Sequence, residues 1–107
     1  MRFPVIYIPF LPMAGMAFFP FILVKKLSFI SHNDFINHEK IHLRQQLELL
    51  LIGFYILYLL HYFYNLIKFF DHNEAYLNIV FEREAYAMET ETNYLKNRKF
   101  WAWRGFL

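Results

Sequence analysis

The five residues His38-Glu39-Lys40-Ile41-His42 constrain this chain more than any other stretch. On a helix, positions i and i+4 lie one above the other on the same face. His38 and His42 would then aim two imidazoles at one point, the geometry that a tetrahedral zinc ion requires. Glu39 lies about 100° further round the helix, where it can reach a water held in the fourth zinc position without ligating the metal. That is the place of a general base. The pattern predicts a helix through this stretch, zinc on His38 and His42, and a catalytic Glu39.

The flanks agree with a helix. Ser31-His32-Asn33-Asp34 offers several N-cap residues, and Ser31 with Asp34 resembles a capping box. Gln45 returns to the histidine face and Gln46 to the Glu39 side, placing both where they can orient ligands or meet a substrate carbonyl. The chain has no cysteine, so any zinc must be held by histidine and carboxylate.

A chain of 107 residues forms one domain with a small core. Its 58% apolar and 22% aromatic content exceeds what so small a domain can bury, so some of that surface must meet lipid, a second copy or a partner membrane protein. The net charge of +2, without a dense basic run, argues against a nucleic-acid partner.

No charged residue occurs from Phe3 to Val24, between Arg2 and Lys25-Lys26. Pro4, Pro9, Pro12 and Pro20 exclude one continuous membrane helix there. Residues 1–30 therefore read as an apolar arm over Phe3–Met13 followed by an extended segment over Ala17–Leu27, in which Pro20 allows an edge strand at most. A strand beside the motif helix could hold an extended peptide by edge pairing.

The motif helix is expected to run on, over 34–68, into an uncharged apolar segment from Leu49 to Ile67. Nineteen such residues come close to a membrane-crossing length. Tyr55, Tyr58, Tyr62 and Tyr64 suit an interface, so the segment either spans or lies on the membrane. A second helix is expected over 72–92, begun by Asp71-His72-Asn73. It would supply the third zinc ligand from Glu82 or Glu84. Glu82 shares a polar stripe with Glu74, Asn78 and Glu89, whereas Glu84 projects among Leu77, Val80 and Met88. A carboxylate on an apolar face needs a partner, and that points to Glu84.

His38-Glu39-x-x-His42 with Glu82-Arg83-Glu84-Ala85 some forty residues on resembles the glutamate-type zincins, or gluzincins. Within them it is similar to the membrane-associated CAAX prenyl proteases with their bacterial heat-shock relatives, and to the metalloprotease domains of beta-lactam sensor-transducers. The whole chain resembles a family of short proteins from Bacteroidetes-type bacteria that carry the same two motifs. The zincin resemblance implies a minimal zincin-like helix pair with Glu82 as third ligand, and a setting at a bacterial inner membrane. Those families place an aspartate where Tyr86 stands, so the bracing of a ligand histidine must come from Tyr86, a glutamine or another carboxylate.

The tail, 93–107, mixes Lys96, Arg98, Lys99 and Arg104 with Phe100, Trp101, Trp103 and Phe106, and reads as an interfacial anchor. The expected fold is mainly α with a small extended N-terminal segment. Two functions fit it. One is a membrane-associated zinc metallopeptidase acting on a peptide or protein; the other is a non-catalytic, metal-stabilised membrane adaptor or regulatory protein.

Overall fold

Pro20 decides how the N-terminal third folds, because a residue with no N–H cannot donate within a ladder. In the computed structural model, which describes residues 3–107, it sits in the two-residue turn between β2 (Gly15–Phe18) and β3 (Phe21–Val24). These strands pair antiparallel, with Ala17 opposite Ile22. β1 (Val5–Tyr7) joins the other side of β3 in parallel, giving the order β1-β3-β2. The arm expected to be irregular over Phe3–Met13 thus contains a strand; Arg2 lies outside the described residues. Gly15 brings β2 close over the start of the motif helix, where any Cβ would overlap the Phe35 ring. Ala17, Ile22 and Val24 pack on Leu43 to form one of two small cores.

Helix α1 spans Asn33–Glu48. Its cap is His32, whose Nδ1 accepts the Phe35 N–H at 3.2 Å, so the Ser31–Asp34 capping box does not form. The buried face of α1 is unusually polar, with His38, Glu39, His42, Gln45, Gln46 and Glu48 all inside. Buried polar groups are costly unless partnered, and nearly every one of these finds a partner in the site described below.

The motif helix does not run on through 34–68. It stops at Glu48, and α2 (Ile52–Phe69) leaves at 111°. Leu50 and Leu51 turn the corner with φ of 58° and 60°, a region leucine seldom adopts. The Leu51 N–H donates to Gln46 O at 2.6 Å across the bend. Packing explains the break. The turn lays Phe54 against Phe81 at 4.8 Å between ring centres and seeds the second core, with Ile79, Val80 and Trp103. Among the described residues no single helix is long and apolar enough to cross a membrane; α1 and α2 could do so, by length and composition, only together as a bent pair.

The helix expected over 72–92 is also two. α3 (His72–Leu77) is capped by Asp71, and α4 (Val80–Met88) follows after Asn78 and Ile79. Asn78 turns its Nδ2 back onto Glu74 O at 2.8 Å, and Ile79 is extended. His61 of α2 then caps α4, its Nδ1 accepting the Val80 N–H at 3.0 Å. That bond needs a neutral ring. Burial lowers the His61 pKa, and the charges of Arg83 and Lys68 lower it further. A histidine with a folded pKa below its unfolded one contributes stability above the unfolded value, near 6.5, and loses it as pH falls through the folded value. Chemical denaturation of wild type and His61→Asn should show the wild-type slope between pH 7 and pH 5 flattened in the variant. Equal slopes would remove His61 from the account.

The tail holds a short helix, α5 (Tyr94–Asn97), and a closing 3-10 turn over Ala102–Phe106. Trp103 packs edge-on to Phe81 at 5.2 Å, and Arg98 is buried. The tail is therefore in large part a strap across α4 and differs from a free anchor. Lys96, Lys99, Phe100 and Arg104 remain exposed.

Candidate metal centre

Helices α1 and α4 pack directly on each other, with Ala85 fully buried. Asn37 fastens the C-terminal end of α4, donating from Nδ2 to Glu89 O at 2.8 Å. This packing sets the Glu82 carboxylate over the two histidines of the motif. His38 Nε2 lies 3.1 Å from Glu82 Oε1, His42 Nε2 lies 3.0 Å from the same oxygen, and the two Nε2 atoms are 3.2 Å apart. A tetrahedron with metal–ligand distances of about 2.0–2.1 Å has edges of about 3.3 Å. Three donors already stand at one face of such a tetrahedron, and all three residues are buried.

The other ring nitrogens explain why a cation fits. His38 Nδ1–H donates to Glu89 Oε1 at 2.8 Å, and His42 Nδ1–H donates to Gln45 Oε1 at 2.8 Å. With both protons held on Nδ1, both Nε2 lone pairs face the Glu82 oxygen. Three electron-rich atoms then converge on one point. The field favours positive charge at that point. Burial alone would lower the His42 pKa, yet the charge and hydrogen bond of Glu82, aided by Glu39, push it up to about 9. Burial likewise opposes ionisation of Glu82, but the two histidines hold its carboxyl well below the usual range. Tyr58 of α2 donates to the second oxygen, Glu82 Oε2, at 2.6 Å, leaving Oε1 for the shared point.

Glu39 stands beside this group and makes no hydrogen bond to any described residue. Burial raises its pKa, and the histidines only partly offset that. It lines two adjoining cavities. The larger, about 550 Å³, runs past His42 and Glu82 between Met13, Met16 and Ala17 on one side and Tyr55, Tyr58 and Leu59 on the other. The smaller, about 220 Å³, lies on the His38 side against Tyr86 and Glu89. Met13, Gly15, Glu39 and Tyr76 border both.

Glu84 takes another role. Its side chain is fully buried and meets Arg98 Nε at 2.6 Å, while Gln45 Nε2 donates to it at 2.9 Å. The carboxylate on the apolar face does need a partner, and that partner comes from the tail. Gln45 thus links His42 to the Glu84–Arg98 pair. Gln46 instead holds β2: its Nε2 donates to Ala17 O at 2.8 Å and its Oε1 accepts the Phe19 N–H at 2.8 Å. Tyr86 stacks edge-on against His38 at 4.5 Å and bonds to Tyr76, so bracing of His38 falls to Glu89. Glu89 follows Glu82 by seven residues on the same polar stripe, a spacing that could have exposed it. Tyr58 carried no such signal, because only the sharp bend after α1 brings it to Glu82.

The structure thus contains a buried His38–His42–Glu82 group on two helices, consistent with an H-E-x-x-H site and able to hold a metal ion. Compared with models of protein families, with curated proteins and with solved structures, the chain matches none.

Proposed function

We propose that this protein is a zinc-dependent hydrolase of peptide bonds. The observation that carries the reading is the single 3 Å triangle of donors with an uncommitted carboxylate beside it, at the floor of a cavity. His38, His42 and Glu82 would hold the ion. Zinc bound there would polarise the scissile carbonyl and lower the pKa of a water toward about 7. Glu39 takes a proton from the attacking water as its oxygen adds to the carbonyl carbon. It then returns that proton to the amine nitrogen as the C–N bond breaks. Glu89 and Gln45 keep both ligand rings in the required tautomer. Tyr58 stays a donor to Glu82, since burial and the Glu82 charge raise its phenol pKa far above normal. β2, an edge strand whose Ala17 carbonyl is held by Gln46 and Tyr55, lines the large cavity also through Gly15 and Met16, where an extended peptide would pair.

Elemental analysis of protein purified without chelators tests the site. Wild type and Glu84→Ala should each carry about one zinc per chain, and His38→Ala and Glu82→Ala should carry essentially none. Metal lost with Glu84 and kept without Glu82 would assign the wrong glutamate. Metal-free wild type would remove the reading altogether.

A further inference from the structure

The polar centre occupies only one side of α2. On a helical wheel, Ile52, Ile56, Leu57, Leu59, Leu60, Phe63, Tyr64, Ile67 and Phe70 cover roughly half the circumference. All are exposed, Ile52, Ile67 and Phe70 by more than 70%. Lys68 alone interrupts them, at the edge. Eighteen residues make this face about 27 Å long, far more apolar surface than monomers usually leave to water. At the bend Leu50 is 83% exposed, and Phe100 is exposed beside Trp101, whose N–H donates to Glu48 at the end of α1.

We propose that this face seats the protein on an anionic lipid surface, with α2 lying in the plane of the membrane. The buried side of the same helix excludes spanning. It carries Asn65, His61 and the Tyr58 contact to Glu82, so a crossing α2 would draw those groups and the site itself into hydrocarbon. Charge complementarity selects lipid over a second copy. Glu39, Glu48, Glu82 and Glu84 are buried, so among the described residues nine basic side chains reach the surface against five acidic ones. Lys68 lies at the edge of the apolar face, Lys99 precedes Phe100, and Arg104 is exposed in the closing turn of the same tail. Such a surplus attracts anionic headgroups and repels an identical chain. The cavity supplies a second argument. Leu59 belongs to the apolar face and also lines the large cavity, opposite exposed Met13. A second copy seated on Leu59 would close that mouth permanently, whereas a fluid lipid surface lets a chain embedded in it enter sideways. Seating on lipid in this way requires neither the metal nor turnover.

The native chain has no cysteine, so single cysteines can be placed at Ile52, Leu60, Ile67 and, as an exposed control away from this face, Thr92. Each carries an environment-sensitive fluorophore and is mixed with vesicles of phosphatidylcholine containing phosphatidylglycerol. Labels at 52, 60 and 67 should shift to the blue and show similar depth by lipid-borne quenchers, and the label at 92 should not. In flotation, Leu60→Asp/Phe63→Asp should lower the vesicle-bound fraction by roughly tenfold or more, with an unchanged circular dichroism spectrum. Lys68→Glu/Arg104→Glu should weaken binding to the anionic vesicles and leave binding to pure phosphatidylcholine unchanged. A deep label at 60 between shallow ones at 52 and 67 would replace lying with spanning. A wild type that stays off vesicles, and is a dimer which Leu60→Asp/Phe63→Asp converts to monomer, would assign the face to a second copy.

Discussion

Glu39→Gln is expected to keep about one zinc per chain and to lose hydrolysis by roughly 10²- to 10⁴-fold, the usual contribution of a positioned general base. The substitution preserves size and polarity but removes the ability to take a proton. Glu39 is free for that task because no described residue hydrogen-bonds its carboxylate, although it borders both cavities. Retained metal is part of the prediction, since the triangle of donors is complete without Glu39. A parallel assay follows activity against pH. The base works deprotonated, and burial raises the Glu39 pKa above the ordinary glutamate value. A bound zinc would oppose that effect of burial, so the check is the limb itself: the acid limb of the wild-type profile should be missing from the residual rate of Glu39→Gln. Peptide cleavage by Glu39→Gln at the wild-type rate would end the proposed mechanism while leaving the metal site standing. A wild type that holds zinc yet cleaves no peptide would instead favour a metal-stabilised, non-catalytic protein.

The site and its surroundings were unequally legible in the sequence. His38, Glu39 and His42 could be read directly, because helical periodicity alone brings i and i+4 together and no distant contact is needed. The polar stripe of α4 made Glu82 a candidate, yet the choice between Glu82 and Glu84 depended on something no wheel contains. Glu84 looked like a ligand because a carboxylate among apolar neighbours needs a counter-charge. Glu84 does have one, but it is Arg98, fourteen residues on in a tail whose composition reads as an interfacial anchor. The bend after Glu48 was invisible for a related reason. Leu49-Leu50-Leu51 has no glycine or proline to announce a break, and two leucines adopt positive φ because Phe54 gains a place against Phe81. Tertiary packing overrode local preference at that turn, and with it came Tyr58 at Glu82 and the exposed outer face of α2. The proline-rich N-terminal third was legible in what it excluded, a continuous helix, and less so in the parallel pairing of β1 with β3, which depends on a contact seventeen residues away.

Arg98→Met should be among the most destabilising single substitutions in this protein. The Arg98 guanidinium meets Glu48 at 2.7 and 3.0 Å and Glu84 at 2.6 and 3.0 Å. Its own side chain and that of Glu84 are fully buried, and that of Glu48 nearly so. Removing the cation leaves two carboxylates facing each other in a dry interior, a change that costs about 3–5 kcal/mol for one broken buried pair. In a domain of this size each kcal/mol lowers the melting temperature by about 4–8 °C, so the fall should be 12 °C or more. The pH dependence carries the signature. In the wild type, burial opposes ionisation of Glu84, but hydrogen bonds from Arg98, Tyr94 and Gln45 hold its pKa below the ordinary value. A depressed carboxylate contributes stability above its unfolded pKa and loses it as pH falls through the folded one. Without Arg98 the burial effect dominates and the Glu84 pKa rises, so the variant gains stability on acidification while the wild type loses it. The gap between them should narrow from pH 7 toward pH 4. Replacing the carboxylates as well, in Arg98→Met/Glu48→Gln/Glu84→Gln, should recover much of the loss at neutral pH, because no buried charge is then left alone. A variant with Arg98→Met alone that melts within a few degrees of wild type, with a parallel pH profile, would show that water reaches this network. Gln45 would then owe its orientation toward His42 to the Phe81 carbonyl, which it also contacts at 3.1 Å.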